Sequence, residues 1–173
     1  MSIDRNSLGR AILVGGLAAG ILDAIDAVVA FKVVLGFDPI PIYQFVASGM
    51  LGPSAFAGGI ATAGVGVGVH FLIAFSAAAL FVLASTRLPL LRERHLAAGA
   101  VYGVGVYLFM NHVVIPLSLI PPSPFSLPLF LNGVLGHAAL VGIPIAWAAR
   151  RYLGTGAGEP AAAFDGDAHP SRA

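Results

Sequence analysis

Cysteine is absent from the 173 residues, which excludes a disulfide, a thiolate metal site, an iron–sulfur cluster and a cysteine nucleophile. Charge is scarce as well. Only 10% of residues are Asp, Glu, Lys or Arg, against about a quarter in a soluble domain. The net charge of +1, spread over scattered basic residues, makes no nucleic-acid footprint and removes that class of partner. The sequence also lacks a hydrolase nucleophile constellation and a phosphate loop. Gly64, Gly66 and Gly68 follow no strand and stand at the start of an apolar helix, where they read as packing residues. These absences lean the reading away from an enzyme.

What is abundant is apolar. Hydrophobic residues make up 58% of the chain and its mean hydropathy is +0.91, so the composition is that of a polytopic membrane protein whose first partner is the lipid bilayer. Four uncharged stretches read as spans, at about residues 11–35, 65–84, 96–115 and 130–149. They predict an all-α membrane protein, a four-transmembrane-helix bundle over residues 1–153. The connection 36–64 is long, mostly apolar and rich in Gly and Pro, and is expected to be interfacial or re-entrant. The connection 116–128 holds Pro121, Pro122 and Pro124 and should be extended and stiff. Residues 154–173 offer little to bury and are expected to form a disordered cytoplasmic tail.

Arginines set the orientation. Arg5 and Arg10 precede the first span, Arg87, Arg92 and Arg94 separate the second from the third, and Arg150, Arg151 and Arg172 follow the fourth. All fall on one side, while the other has only Lys32 and Asp38 at its edge. By the positive-inside rule both termini are cytoplasmic. No small-x-small cleavage site follows the first apolar run, and Asp23 and Asp26 interrupt it, so it is read as a retained helix rather than a signal peptide.

Those two aspartates open the functional question, because ionisable groups inside a bilayer are costly and by default point to a site. His70, His112 and His137 lie in the other three spans. Counted from the arginine on its own helix, each of the five lies roughly 20 to 27 Å along, in the outer half of a hydrocarbon core about 30 Å thick. Asn111 and Asn132 come from the same half and are candidate amide members of the same polar layer. Helical spacing puts Asp23 on a face with Gly16 and Gly20, His70 with Gly66 and Ala74, and His137 with Gly133, and small residues mark close helix contacts in membranes. The expectation is that Asp26, His70 and His112 converge, with Asp23 and His137 one turn nearer the cytoplasm.

A purely structural role weighs against a site. Buried His and Asn residues also fix packing by hydrogen-bonding across helices, at about 0.6 kcal/mol per contact. The aspartate pair is harder to explain that way, because carboxylates three residues apart repel when both are ionised. The pair calls for a proton, a histidine or a cation.

The order His70-Phe71, Arg87-x-Pro89, Gly99-x-x-x-Gly103, His112, Pro116-Leu117, Pro121-Pro122, Leu127-Pro128 and Gly136-His137, over roughly residues 65–150, resembles the YagU-like group of small bacterial inner-membrane proteins. The resemblance implies an inner-membrane protein of a kind for which a link to acid tolerance has been proposed. It implies no catalytic residues, and it does not extend clearly over Asp23 and Asp26.

Three functional classes stay open. One is a non-enzymatic structural or accessory protein whose polar layer only specifies packing. The second is an ion, proton or transition-metal site, for transport or acid tolerance, with Asp23, Asp26, His70, His112 and His137 as ligands to a divalent metal or as proton carriers. The third is a haem b protein ligated by two histidines from facing helices, although the aspartates would put negative charge in its pocket. The glycine-rich faces also suit a partner, either another membrane protein or a second copy in a homo-oligomer.

Overall fold

The computed structural model describes residues 4–155, so the expected disordered tail falls, beyond Thr155, outside the described residues. Every regular element among the described residues is helical. In chain order these are α1 (Arg5–Leu35), α2 (Pro39–Leu51) with a 3-10 turn at Gly52–Ala57, α3 (Gly59–Arg87), the single turn α4 (Leu90–Glu93) and α5 (His95–Phe109). A π turn at Met110–Val114 carries α5 into α6 (Ile115–Leu117). A second π turn, at His137–Gly142, carries α7 (Leu127–Gly136) into α8 (Ile143–Leu153).

Four of these units, Arg5–Leu35, Gly59–Arg87, His95–Val114 and Leu127–Leu153, are long and apolar enough to cross a membrane. Their outward faces carry exposed Leu13, Leu17, Ile21, Ile25 and Val29 on α1 and Leu72, Leu80 and Leu83 on α3, a surface suited to lipid. The inward faces hold few large side chains. Phe81, Val82, Val141, Ile145 and Leu153 are the larger buried residues of a core whose other members are Ala11, Ala19, Ala78, Ala146 and Ala149. Lipid is as apolar as leucine, so helices associate there by close backbone approach rather than by hiding bulk, and small residues supply it. The α5 pair Gly99 and Gly103 shows this directly. A Cβ on Gly103 would overlap the backbone carbonyl of His137, and one on Gly99 would sit 2.7 Å from the carbonyl of Gly142. On the other side of the bundle, Gly16 and Gly20 of α1 receive the rings of Phe75 and Phe71 from α3 in antiparallel register.

Both π turns stand just before a proline, Pro116 in one case and Pro144 in the other. Proline has no N–H for the carbonyl four residues back, and its ring crowds that carbonyl. Widening one turn relieves the clash without breaking the span. In the last span the π turn at His137–Gly142 is the form that this adjustment to Pro144 takes.

The connection between the first two spans is largely helical, made of α2 and the 3-10 turn after it. Gly66 lets α2 approach until a Cβ there would overlap the Tyr43 carbonyl. Buried Gln44 donates from Nε2 to the Gly59 carbonyl at 3.1 Å, and Thr62 Oγ1 donates to the Ala55 carbonyl at 2.6 Å. Leu119 N–H donates to the Gly49 carbonyl at 3.1 Å and ties the proline-rich connection to α2. At the same end Lys32 pairs with Asp38 at 2.8 Å.

The arginine-bearing end is closed by Arg92, which is only 4% exposed and donates from Nη1 to the carbonyls of Leu153 at 2.7 Å and Gly154 at 3.1 Å. Its guanidinium satisfies the last carbonyls of α8 and meets the negative end of that helix. Replacing Arg92 with Met should cost about 1–3 kcal/mol by orphaning those carbonyls. A lowered melting temperature in detergent, partly restored by Arg92→Lys, is the expected result.

Candidate functional site

Asp23 is the hub of the polar groups inside the bundle. On α1 it shares a face with Gly16 and Gly20, the face that α3 packs against, and on its other flank the α7–α8 unit crosses. Its two carboxyl oxygens meet different histidines: Oδ2 lies 3.9 Å from His70 Nδ1 on α3, and Oδ1 lies 3.6 Å from His137 Nδ1 at the start of the second π turn. The side chains of Asp23, His70 and His137 are 19%, 15% and 20% exposed, which leaves little solvent or lipid to stabilise a lone charge.

The hydrogen bonds decide where a proton can sit. His70 Nε2 lies 2.9 Å from the Gly20 carbonyl, and a carbonyl only accepts, so Nε2 carries a hydrogen. In a neutral ring that leaves Nδ1 as a bare lone pair facing a carboxyl oxygen. The contact is repulsive unless a proton resides on Asp23 or on Nδ1. His137 Nδ1 is buried, has no hydrogen-bond partner and faces the other carboxyl oxygen. Each imidazole is braced by an aromatic edge. Tyr43 lies 6.4 Å and Phe71 5.4 Å from the His70 ring, and Tyr107 lies 5.2 Å from the His137 ring. Tyr43, on α2 outside the four spans, has its phenol pushed up, chiefly by burial and further by the Asp23 carboxylate. Its hydroxyl donates to the Ala24 carbonyl at 3.4 Å.

Asp26, one turn farther along α1, is a separate pair rather than a fourth member. Asn132 Nδ2 donates to its Oδ2 at 2.7 Å. Gly136 makes room for the carboxylate, since a Cβ there would lie 2.7 Å from Oδ2. Asn132 and Gly136 of α7, and His137 just after it, thus face Asp26 and Asp23 of α1 in antiparallel register, while Gly133 receives the Tyr107 ring from α5.

Two of the sequence-derived residues do not join. His112 is exposed and its Nδ1 lies 2.9 Å from the Leu108 carbonyl of its own helix, while Asn111 is exposed and donates to the Tyr107 carbonyl at 2.9 Å. The expected convergence of Asp26, His70 and His112 is therefore corrected: the converging residues are Asp23, His70 and His137. Nor are the five candidate metal ligands assembled as one set, for among the described residues no three His, Asp or Glu side chains are grouped to hold one ion. The physical reason is that each histidine approaches a different oxygen of Asp23, so the carboxyl bridges the rings instead of sharing a centre with them. Asp23 thus stands with one oxygen toward each of the two imidazoles. Sequence reasoning did not single out Tyr43 as a neighbour of the site, and its chemistry alone carries no signal for it.

No family model, curated protein or solved structure matches the chain.

Proposed function

We propose that this chain is a non-enzymatic inner-membrane protein whose His70–Asp23–His137 cluster binds a proton reversibly and reports acidity at the end of the bundle remote from the arginines. The observation that carries the reading is the His70 ring, with its Nε2 hydrogen committed to the Gly20 carbonyl at 2.9 Å and its Nδ1 left facing the Asp23 carboxyl. A proton there turns two opposed lone pairs into an attractive, charge-assisted contact, and a second histidine on the other carboxyl oxygen lets that proton be shared.

Access is expected from one end only. Asp26, Asn132 and Tyr43 lie toward the α2 end, whereas the arginine side of the cluster is packed with Gly16, Ala19, Ala74 and Val141. That arrangement suits a sensor or buffer more than a transmembrane conductor. The arginine distribution supports cytoplasmic termini, which would make the loading end periplasmic, with α2 as an interfacial or re-entrant cover. The motif order shared with the YagU-like group, and the acid-tolerance link proposed there, agree with such a role. A structural reading is favoured for Asp26 alone, which accepts a hydrogen bond from Asn132 and meets no histidine among the described residues.

Infrared difference spectra of the reconstituted protein between neutral and acidic buffer test this. A protonated-carboxyl band that disappears in Asp23→Asn and persists in His112→Leu is expected, with no sustained proton flux through proteoliposomes. An identical difference spectrum in Asp23→Asn would overturn the reading.

A further inference from the structure

A second polar locus stands at the opposite end of the molecule, between the start of α5 and the end of α8. His95, Trp147, Arg150, Arg151, Gly154 and Thr155 line an open cleft of about 480 Å³. Arg150 Nη1 donates to His95 Nδ1 at 2.8 Å, so His95 accepts through Nδ1 and, as a neutral ring, keeps a hydrogen on Nε2 to donate. Among the described residues no carboxylate lies within 4.0 Å of Arg150 or Arg151. Counted over the described residues, the cleft therefore holds two guanidinium groups and an imidazole donor with no carboxylate beside them. Trp147 is 49% exposed, three and four residues before the two arginines and on the same side of α8. A tryptophan at the end of an apolar span takes the headgroup level of a bilayer, which places the cationic cleft at the depth of lipid phosphates.

We infer that this cleft binds the headgroup of an anionic phospholipid, with Arg150, Arg151 and His95 Nε2 on phosphate oxygens and Trp147 against the glycerol and upper acyl region. Juxtamembrane arginines gain from negative lipid surfaces, and basic clefts between spans hold such headgroups. Arginine's fork of donors fits a phosphate in two-point contact.

Native mass spectrometry of the full chain, released from nanodiscs of phosphatidylglycerol and phosphatidylcholine, tests it. Phosphatidylglycerol should remain bound in preference to phosphatidylcholine, and Arg150→Gln with Arg151→Gln should weaken its retention on the order of tenfold. The pair Arg5→Gln with Arg10→Gln removes the same charge from the same end and should leave retention unchanged. If the double variant fails to fold, Arg151→Gln alone serves, since Arg151 is exposed and should still give a several-fold loss. Equal retention of the two lipids, or an equal loss in the Arg5/Arg10 variant, would overturn the proposal. So would complete displacement by inorganic phosphate, the mark of a soluble-anion site.

Discussion

Replacing Gly103 with Ala should cost about 3 kcal/mol or more and strip much of the folded protein from detergent extracts, whereas the same change at Gly105 should stay within about 0.5 kcal/mol. The two glycines are two residues apart on α5. A Cβ at Gly103 meets the His137 carbonyl, an atom of the backbone that cannot rotate away, while at Gly105 nothing lies within 4 Å. The α5 helix and the second π turn would have to separate, and His137 would move with the turn. Gly103→Ala should therefore also disturb the His70–Asp23–His137 cluster, although it touches none of that cluster's side chains. Thermal melts of the two variants decide it, and equal melting temperatures would show that close backbone approach does not hold this interface.

The second large effect is at the cluster. His70→Leu should lose roughly 2 to 3 kcal/mol, because Asp23 is left with one histidine in a setting where an uncompensated carboxylate is costly. Adding Asp23→Asn should return part of the loss, with a coupling of about 1–3 kcal/mol between the two substitutions. His112→Leu should be close to neutral, since that ring is exposed and bonds only to its own helix. Melts of the two single variants and the double variant close the cycle. Strictly additive costs would mean that Asp23 and His70 do not interact.

Hydropathy and counting were enough for the four spans, because a bilayer fixes how many apolar residues a crossing helix needs. The glycine pairs were legible for the same kind of reason: a four-residue spacing puts both on one face, and Gly16/Gly20 and Gly99/Gly103 do meet neighbouring helices. Depth was less informative than it looked. Distance from an arginine gives a residue's height in the membrane but not the side of the helix it occupies, and on height alone His112 stood level with His70. Its side was available in the sequence. His112 is nine residues after Gly103, about two and a half helical turns, and so faces away from the packed glycine stripe. Asp23 is seven residues after Gly16, about two turns, and so faces inward. The division of labour between the aspartates was not legible, because it depends on the crossing register of α1 and α7, which sets Asn132 beside Asp26 and His137 beside Asp23. The π turns are legible only with hindsight, from Pro116 and Pro144.

Nitrogen-15 NMR of the histidine rings, followed through a pH titration of the protein in lipid bilayers, tests the shared-proton cluster most directly. The account expects His70 Nε2 to stay protonated throughout, and the Nδ1 resonances of His70 and His137 to respond together as one coupled set that separates into independent titrations in Asp23→Asn. Independent titration of the two rings in the native protein, unchanged by Asp23→Asn, would contradict it.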